Sequence, residues 1–166
     1  ITDTGCFRFS NTTEKTFAVA SRLVSMGADP AVIARSLYSE RPESSVRLLA
    51  AVLSTLEMSK KQQGSVAWIQ LTEEMLSETG ATREQTEGLI DHVLAIQGVK
   101  AAVFYRQEGP RTTRVSLRSS DGLDVAQIAR HWDGGGHRNA AGLTINRAMP
   151  DAIRELTEVL QKALAE

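Results

Sequence analysis

The apolar positions of this chain change their spacing near the middle. Up to residue 60 they recur at helical intervals. Phe17, Ala20, Leu23 and Val24 form one stripe over residues 13–27, where Gly27 supplies the stop. Asp29 and Pro30 read as the cap and first position of a second helix carrying Val32, Ile33, Ser36 and Leu37. A third helix is expected from about 42 to 60 through Val46, Leu49, Leu53 and Leu56. The polar stretch 59–64 then reads as a hinge between lobes.

Beyond it the period shortens. Strands are expected over 65–71, over 99–107 and 112–119 around a turn at Glu108-Gly109-Pro110, and over 143–146. Helices are expected after Thr72, over 82–96, from the Asp124 cap to about Trp132, and over 150–165. Residues 1–12 read as a strand end and a loop. The whole is an α/β chain: a helical connector followed by a compact mixed-sheet α/β lobe, with a boundary expected between 1–61 and 62–166.

Composition narrows the class. The 166 residues are 42% hydrophobic and 23% charged, which excludes a disordered or collagen-like chain. One cysteine, Cys6, excludes a disulfide framework and reads as inert. No apolar run reaches membrane-spanning length and no signal pattern opens the chain, so a cytoplasmic protein without membrane attachment is expected. The net charge of −1 hides an uneven distribution: residues 98–147 hold eight basic against four acidic side chains. Arginine supplies 14 of the 19 basic residues, and its planar fork suits bidentate phosphate contacts.

Three stretches carry candidate chemistry. In 133–142 the run Gly134-Gly135-Gly136-His137-Arg138-Asn139 offers two readings, an ordinary turn or a ligand loop whose successive N–H groups form an anion nest. It is not a Walker A loop, since no Gly-Lys-Ser/Thr follows. In 114–120, Arg114, Ser116, Arg118 and Ser120 fall on one face of a strand, as a phosphate-holding face or a solvated outer one. In 2–13, Asp3 before Gly5 suits a carboxylate metal ligand, while Ser10, Asn11, Thr12 and Thr13 are equally helix-capping residues. Trp68 and Trp132 read as packing residues, and His92 and His131 as structural.

Taken in order, Asp-Thr-Gly-x-Phe-Arg-x-Ser-Asn-Thr-Thr, then Ser-Leu-Arg-Ser, Asp-Val-Ala-x-Ile-Ala and Gly-Gly-Gly-His-x-Asn-Ala-Ala-Gly resemble the DHH phosphoesterase family. They look most like its NrnA-like branch of nano-RNases and pAp phosphatases. RecJ-type single-strand exonucleases and the alanyl-tRNA synthetase C-terminal domain share a similar Gly-rich signature, and the 7–13 run favours the NrnA-like branch. The resemblance implies a metal-dependent phosphoesterase that hydrolyses short single-stranded oligoribonucleotides, dinucleotides or the nucleotide bisphosphate pAp. It implies a two-manganese site to which Asp3 contributes. Arg8, Ser10 and Asn11 would lie near the cleft, and Arg114, Arg118, Gly134, Gly135, Gly136, His137 and Asn139 would bind substrate. No Asp-His-His triplet occurs in the sequence. The chain is therefore expected to hold the tail of a catalytic lobe, the connector and the substrate-binding lobe, to be inactive alone, and to be compatible with oligomerisation. The alternatives are a non-catalytic nucleotide- or RNA-binding module, or part of a RecJ-like single-strand exonuclease.

Overall fold

A computed structural model describes residues 2–7, 11–38, 41–61, 64–120 and 122–165. The chain divides into two compact units, Ile1–Arg41 and Pro42–Glu166. Of the expected site residues, Arg8 and Ser10 lie outside the described residues.

The first unit is small and helical. Thr2–Thr4 form a 3-10 turn rather than the expected strand end, because Gly5, Cys6 and Phe7 take successive left-handed conformations (φ 54°, 58° and 65°). Phe7 then stacks on Phe17 at 5.1 Å. Helix α1 (Glu14–Ser25) starts on a capping box between Thr13 and Thr16. It stops in a Schellman motif, the Ala28 N–H donating to Leu23 and that of Gly27 to Val24. The Asp29 carboxylate accepts the Ala31 and Val32 N–H groups at 2.8 and 3.2 Å, which opens α2 (Pro30–Tyr38). Among the described residues no single helix is long and apolar enough to cross a membrane.

The second unit is built on one six-stranded sheet. Helix α3 (Glu43–Leu53) leads into β1 (Glu57–Lys61), which pairs antiparallel with β2 (Gly64–Leu71). The expected third helix is therefore too long, and the described residues of the expected hinge, 59–61 and Gly64, belong to paired strands. Ser54 and Thr55 end the helix by turning their hydroxyls onto the Ala51 and Val52 carbonyls. The Thr55 hydroxyl also accepts the Gln70 N–H at 2.8 Å, tying the turn to β2. The boundary expected after Lys61 thus falls inside the second unit.

Helix α4 (Glu73–Thr79), capped by Thr72, and α5 (Leu89–Leu94) bridge β2 to its parallel neighbour β3 (Val99–Gly109). The single helix expected over 82–96 is broken: Arg83–Thr86 is a 3-10 turn, and Gly88 at φ 79° restarts the chain into α5. Strands β4 (Thr112–Ser119), β5 (Gly135–His137) and β6 (Ala140–Ile145) complete the sheet in the order β1-β2-β3-β4-β6-β5. Between β4 and β5 lies α6 (Val125–Ala129), and α7 (Met149–Ala163) closes the chain.

The period of two assigns the two faces of this sheet. On the back, Val66, Trp68, Val103, Tyr105, Val115, Leu117, Leu143 and Ile145 pack under α6 and α7. On the front, Ala67, Ile69, Leu71, Ala102 and Phe104 pack under α3 and α5. The front helices cover β2 and β3, and α5 also reaches β4, while no residue of β6 or β5 joins the front core.

Candidate functional site: an open arginine face

The pairing register aligns this front face. Ala102, Arg118, Ala140 and His137 form one row across β3, β4, β6 and β5. Phe104, Ser116, Gly142 and Gly135 form the next, and Arg106, Arg114 and Thr144 the one after. Directly paired residues point to one face, so Arg106, Arg114, Ser116, Arg118 and His137 share it. The alternation expected for 114–118 is the one observed, with Val115 and Leu117 fully buried behind it.

Arg106 is the residue that sequence reasoning missed. It was counted in the basic island, yet the signal that places it is the Ala102-Phe104-Arg106 alternation opposite β4. Its Nη2 donates to the Ser116 hydroxyl at 2.7 Å, and its guanidinium carbon lies 5.3 Å from the Phe104 ring centre. Its Nε is buried without a partner. Burial, and then the charge of Arg114, hold its pKa below the ordinary arginine value. Arg114 meets Glu108 at 3.6 Å with both groups still partly in water, so the pair is weak. A ligand anion would relieve the repulsion among these guanidiniums.

A cleft of about 620 Å³ opens on this region, lined by Arg106, Arg114, Ser116, Trp132, Gly134 and Gly135 among others. Asp133 also lines it, an acid that opposes an anion at that end. Trp132 does pack, as expected: it rests against the back core and its Nε1 donates to Glu155 at 3.2 Å. Trp68 is buried in that same core.

The glycine run is neither a loose turn nor a nest. Gly135–His137 pair with β6, and the Gly134 N–H is spent on the Ala129 carbonyl at 3.0 Å. The glycines are needed because chain passes over chain: a Cβ on Gly134 would stand 2.4 Å from the Gly142 oxygen, and one on Gly136 2.4 Å from the Ala140 oxygen. Asn139 also works for the fold. Its amide donates to the Ser119 carbonyl at 3.1 Å, while its own carbonyl accepts the Ser119 N–H. Arg118 Nη1 is on the Leu117 carbonyl at 3.1 Å.

In the first unit, Asp3 and Asn11 are brought together, the Asn11 amide donating to the Asp3 carbonyl at 3.0 Å. Among the described residues no group of three or more His, Cys, Asp or Glu could hold a metal ion. The described residues by themselves therefore do not supply a two-manganese centre.

Residues 50–166 match the DHHA1 domain. The chain is 34% identical to the bifunctional oligoribonuclease and PAP phosphatase NrnA of Thermus thermophilus, over 99% of this chain and 48% of that protein. It is 32% identical to the Bacillus subtilis protein of the same name, over 86% of this chain and 44% of its relative. The crystal structure of an exopolyphosphatase-related protein from Bacteroides fragilis aligns with a TM-score of 0.88 at 30% identity, covering 99% of this chain and 49% of that one. The C-Ala domain of Aquifex aeolicus alanyl-tRNA synthetase shares the fold, with a TM-score of 0.51 at 14% identity over 66% of this chain and 99% of that one. The chain spans about half the length of the curated relatives it matches. With the match beginning inside α3 and running through the whole six-stranded unit, the chain belongs to the DHHA1 domain family.

Proposed function

We propose that the six-stranded unit is the substrate-binding part of a phosphoesterase acting on short oligoribonucleotides, dinucleotides or pAp. The observation that carries this reading is the shared sheet face on which Arg106, Arg114 and Arg118 stand together, next to an edge strand ending in His137. Arg114 and Arg118 are four residues apart on one strand, about 13 Å. Such a pair engages separate phosphates of one short strand rather than a single anion. The names of the relatives agree with this substrate class.

The two-manganese hydrolysis expected from the resemblance belongs to the same proposal, with its ligands, apart from Asp3, drawn from outside the described residues. The role of the arginine face is to hold and orient the phosphates, so that binding energy fixes the scissile bond. Hydrolysis by this chain alone is not expected.

Calorimetric titration with pAp and with the dinucleotide pApA, with and without manganese, tests the reading. Metal-independent binding is expected. Arg118→Ala and His137→Ala should each weaken it about tenfold or more, the usual worth of a charge-assisted hydrogen bond. Binding that neither substitution alters would refute the assignment of recognition to this face.

A further inference from the structure

The back of the same sheet carries a second recess, where α6, the turn between β5 and β6, and the end of α7 meet. Its volume is about 560 Å³. Part of the floor is apolar: half-buried Val159 and Ala163 present surface there, with Leu123 and Ile128 buried beneath them in the same core. Three basic side chains line it, each from a different element. His131 comes from the 3-10 turn after α6, Arg138 from the β5–β6 turn and Lys162 from the last turn of α7.

Charge in this recess is not balanced within the described residues. Asp124 is the acid that lines it, and its Oδ1 already accepts the Gln127 N–H at 3.0 Å. No ion pair among the described residues holds Arg138 or Lys162. His131 sets its Nδ1 against the Ile128 carbonyl at 3.0 Å, which leaves Nε2 to a ligand. The recess is also anchored. The Arg138 carbonyl accepts the Val125 N–H at 2.9 Å, and the neighbouring Asn139 is hooked onto Ser119, so this turn is held from both sides.

We infer that this recess is a second anion site, separate from the arginine face, for a small organic phosphate with an apolar body. The Arg138 guanidinium and the Lys162 ammonium supply charge-assisted donors for the phosphate oxygens, and the imidazolium form of His131 adds a third from Nε2. The Val159–Ala163 part of the floor removes the body of the same molecule from water. A bare inorganic anion would satisfy the cations and leave the floor wet. A neutral apolar molecule would cover the floor and leave the cations unpaired. A ligand carrying both parts matches the lining. The site rests on residues that the proposed function does not use, so either reading can fail without the other.

The test is a set of 1H–15N spectra of the 166-residue chain, titrated with inorganic phosphate, phenyl phosphate and phenol. Phenyl phosphate is expected to move the amides of Gly122, Gln127 and Ala163 saturably, about tenfold more tightly than inorganic phosphate, given the apolar area covered. Phenol is expected to leave them in place. Arg138→Gln with Lys162→Gln should abolish these shifts and keep those of Ser116 and Gly135 on the arginine face. Arg114→Gln with Arg118→Gln should do the reverse. The inference is overturned if the recess amides never saturate in the millimolar range, if phenol moves them as phenyl phosphate does, or if the Arg138/Lys162 variant leaves them unchanged. Should that variant lose dispersion at Val103 and Leu117, Lys162→Gln alone, at an exposed position, serves in its place.

Discussion

The three consecutive glycines make different demands, and alanine at each position separates them. A Cβ on Gly134 would lie 2.4 Å from the Gly142 oxygen, 2.6 Å from Leu143 Cβ and 3.0 Å from the Ala129 oxygen. Two of those neighbours are backbone, so no side chain can swing away, and β5 must lift from β6. Overpacking of this kind costs about 1–3 kcal/mol. Gly136 meets the Ala140 backbone at 2.4 Å and also sits at φ 144°, a region essentially confined to glycine, which adds about 1–3 kcal/mol. Gly135 has nothing within 4 Å of its Cβ position, and alanine there should change stability by less than about 1 kcal/mol. Both tryptophans lie in the second unit, so their fluorescence follows its unfolding. Gly134→Ala should lower the fluorescence midpoint by roughly 2–12 °C and Gly136→Ala by more, with Gly135→Ala close to the parent, given about 2–4 °C per kcal/mol at this size. A Gly134→Ala protein as stable as Gly135→Ala would refute the close-approach argument. Midpoints close to the parent at all three positions would refute it in favour of a flexible turn.

Three further outcomes follow from the same geometry. Arg106→Met removes a half-buried cation with an orphaned Nε that Arg114 repels, so the urea midpoint should hold or rise while pAp affinity falls about tenfold; a loss above about 2 kcal/mol would make Arg106 a structural residue instead. Burial holds the Tyr105 phenol well above its ordinary value, with the Thr157 hydroxyl 3.5 Å away opposing weakly. The folded state therefore keeps a proton that the unfolded state loses, so stability present below about pH 10 is lost as pH rises above it, and Tyr105→Phe should flatten that decline in pH-dependent urea melts. Asp124→Ala removes the carboxylate that accepts the Gln127 N–H and should cost about 1 kcal/mol by the same fluorescence melt, with no effect if the cap is idle.

The parts of this fold that local chemistry decides are legible in the sequence. Asp29, Thr72 and Asp124 each announce a helix start, and each accepts the backbone N–H expected of a cap. The β4 boundaries and its alternation follow from Arg114-Val115-Ser116-Leu117-Arg118 alone, since a half-buried strand must alternate. Pairing decides the rest. Glu57–Lys61 carries little apolar pattern and becomes a strand because β2 presents an edge to it. Leu56 continues the helical spacing of α3, which is why the expected helix overran. Gly88 sits in an apolar window that periodicity reads as continuous, and its left-handed φ breaks the helix. Gly135–His137 has no apolar residue at all, and only β6 makes it a strand.

The same distinction governs the candidate site. Arg114 and Arg118 could be placed on one face from sequence, but how much of that face was left bare depended on where α3, α4 and α5 landed. They cover β2 and β3, α5 reaching β4 as well, and past Phe104 the front of the sheet changes from apolar to Arg, Ser, Thr and Gly. Arg106 is the residue at that border, its stem over Phe104 and its head on Ser116, which explains both its burial and its lowered pKa. Such a face is unfavourable to an isolated fold, since it concentrates like charge on a rigid surface with one weak carboxylate contact. It is favourable to a binding surface, because paired strands, held close where Gly134 and Gly136 leave no room for a Cβ, fix the backbone positions of the arginines and His137 before any ligand arrives. Preorganisation of that kind reduces the ordering cost of binding. The rigidity of the glycine run, rather than any flexibility, is thus what connects the motif to recognition.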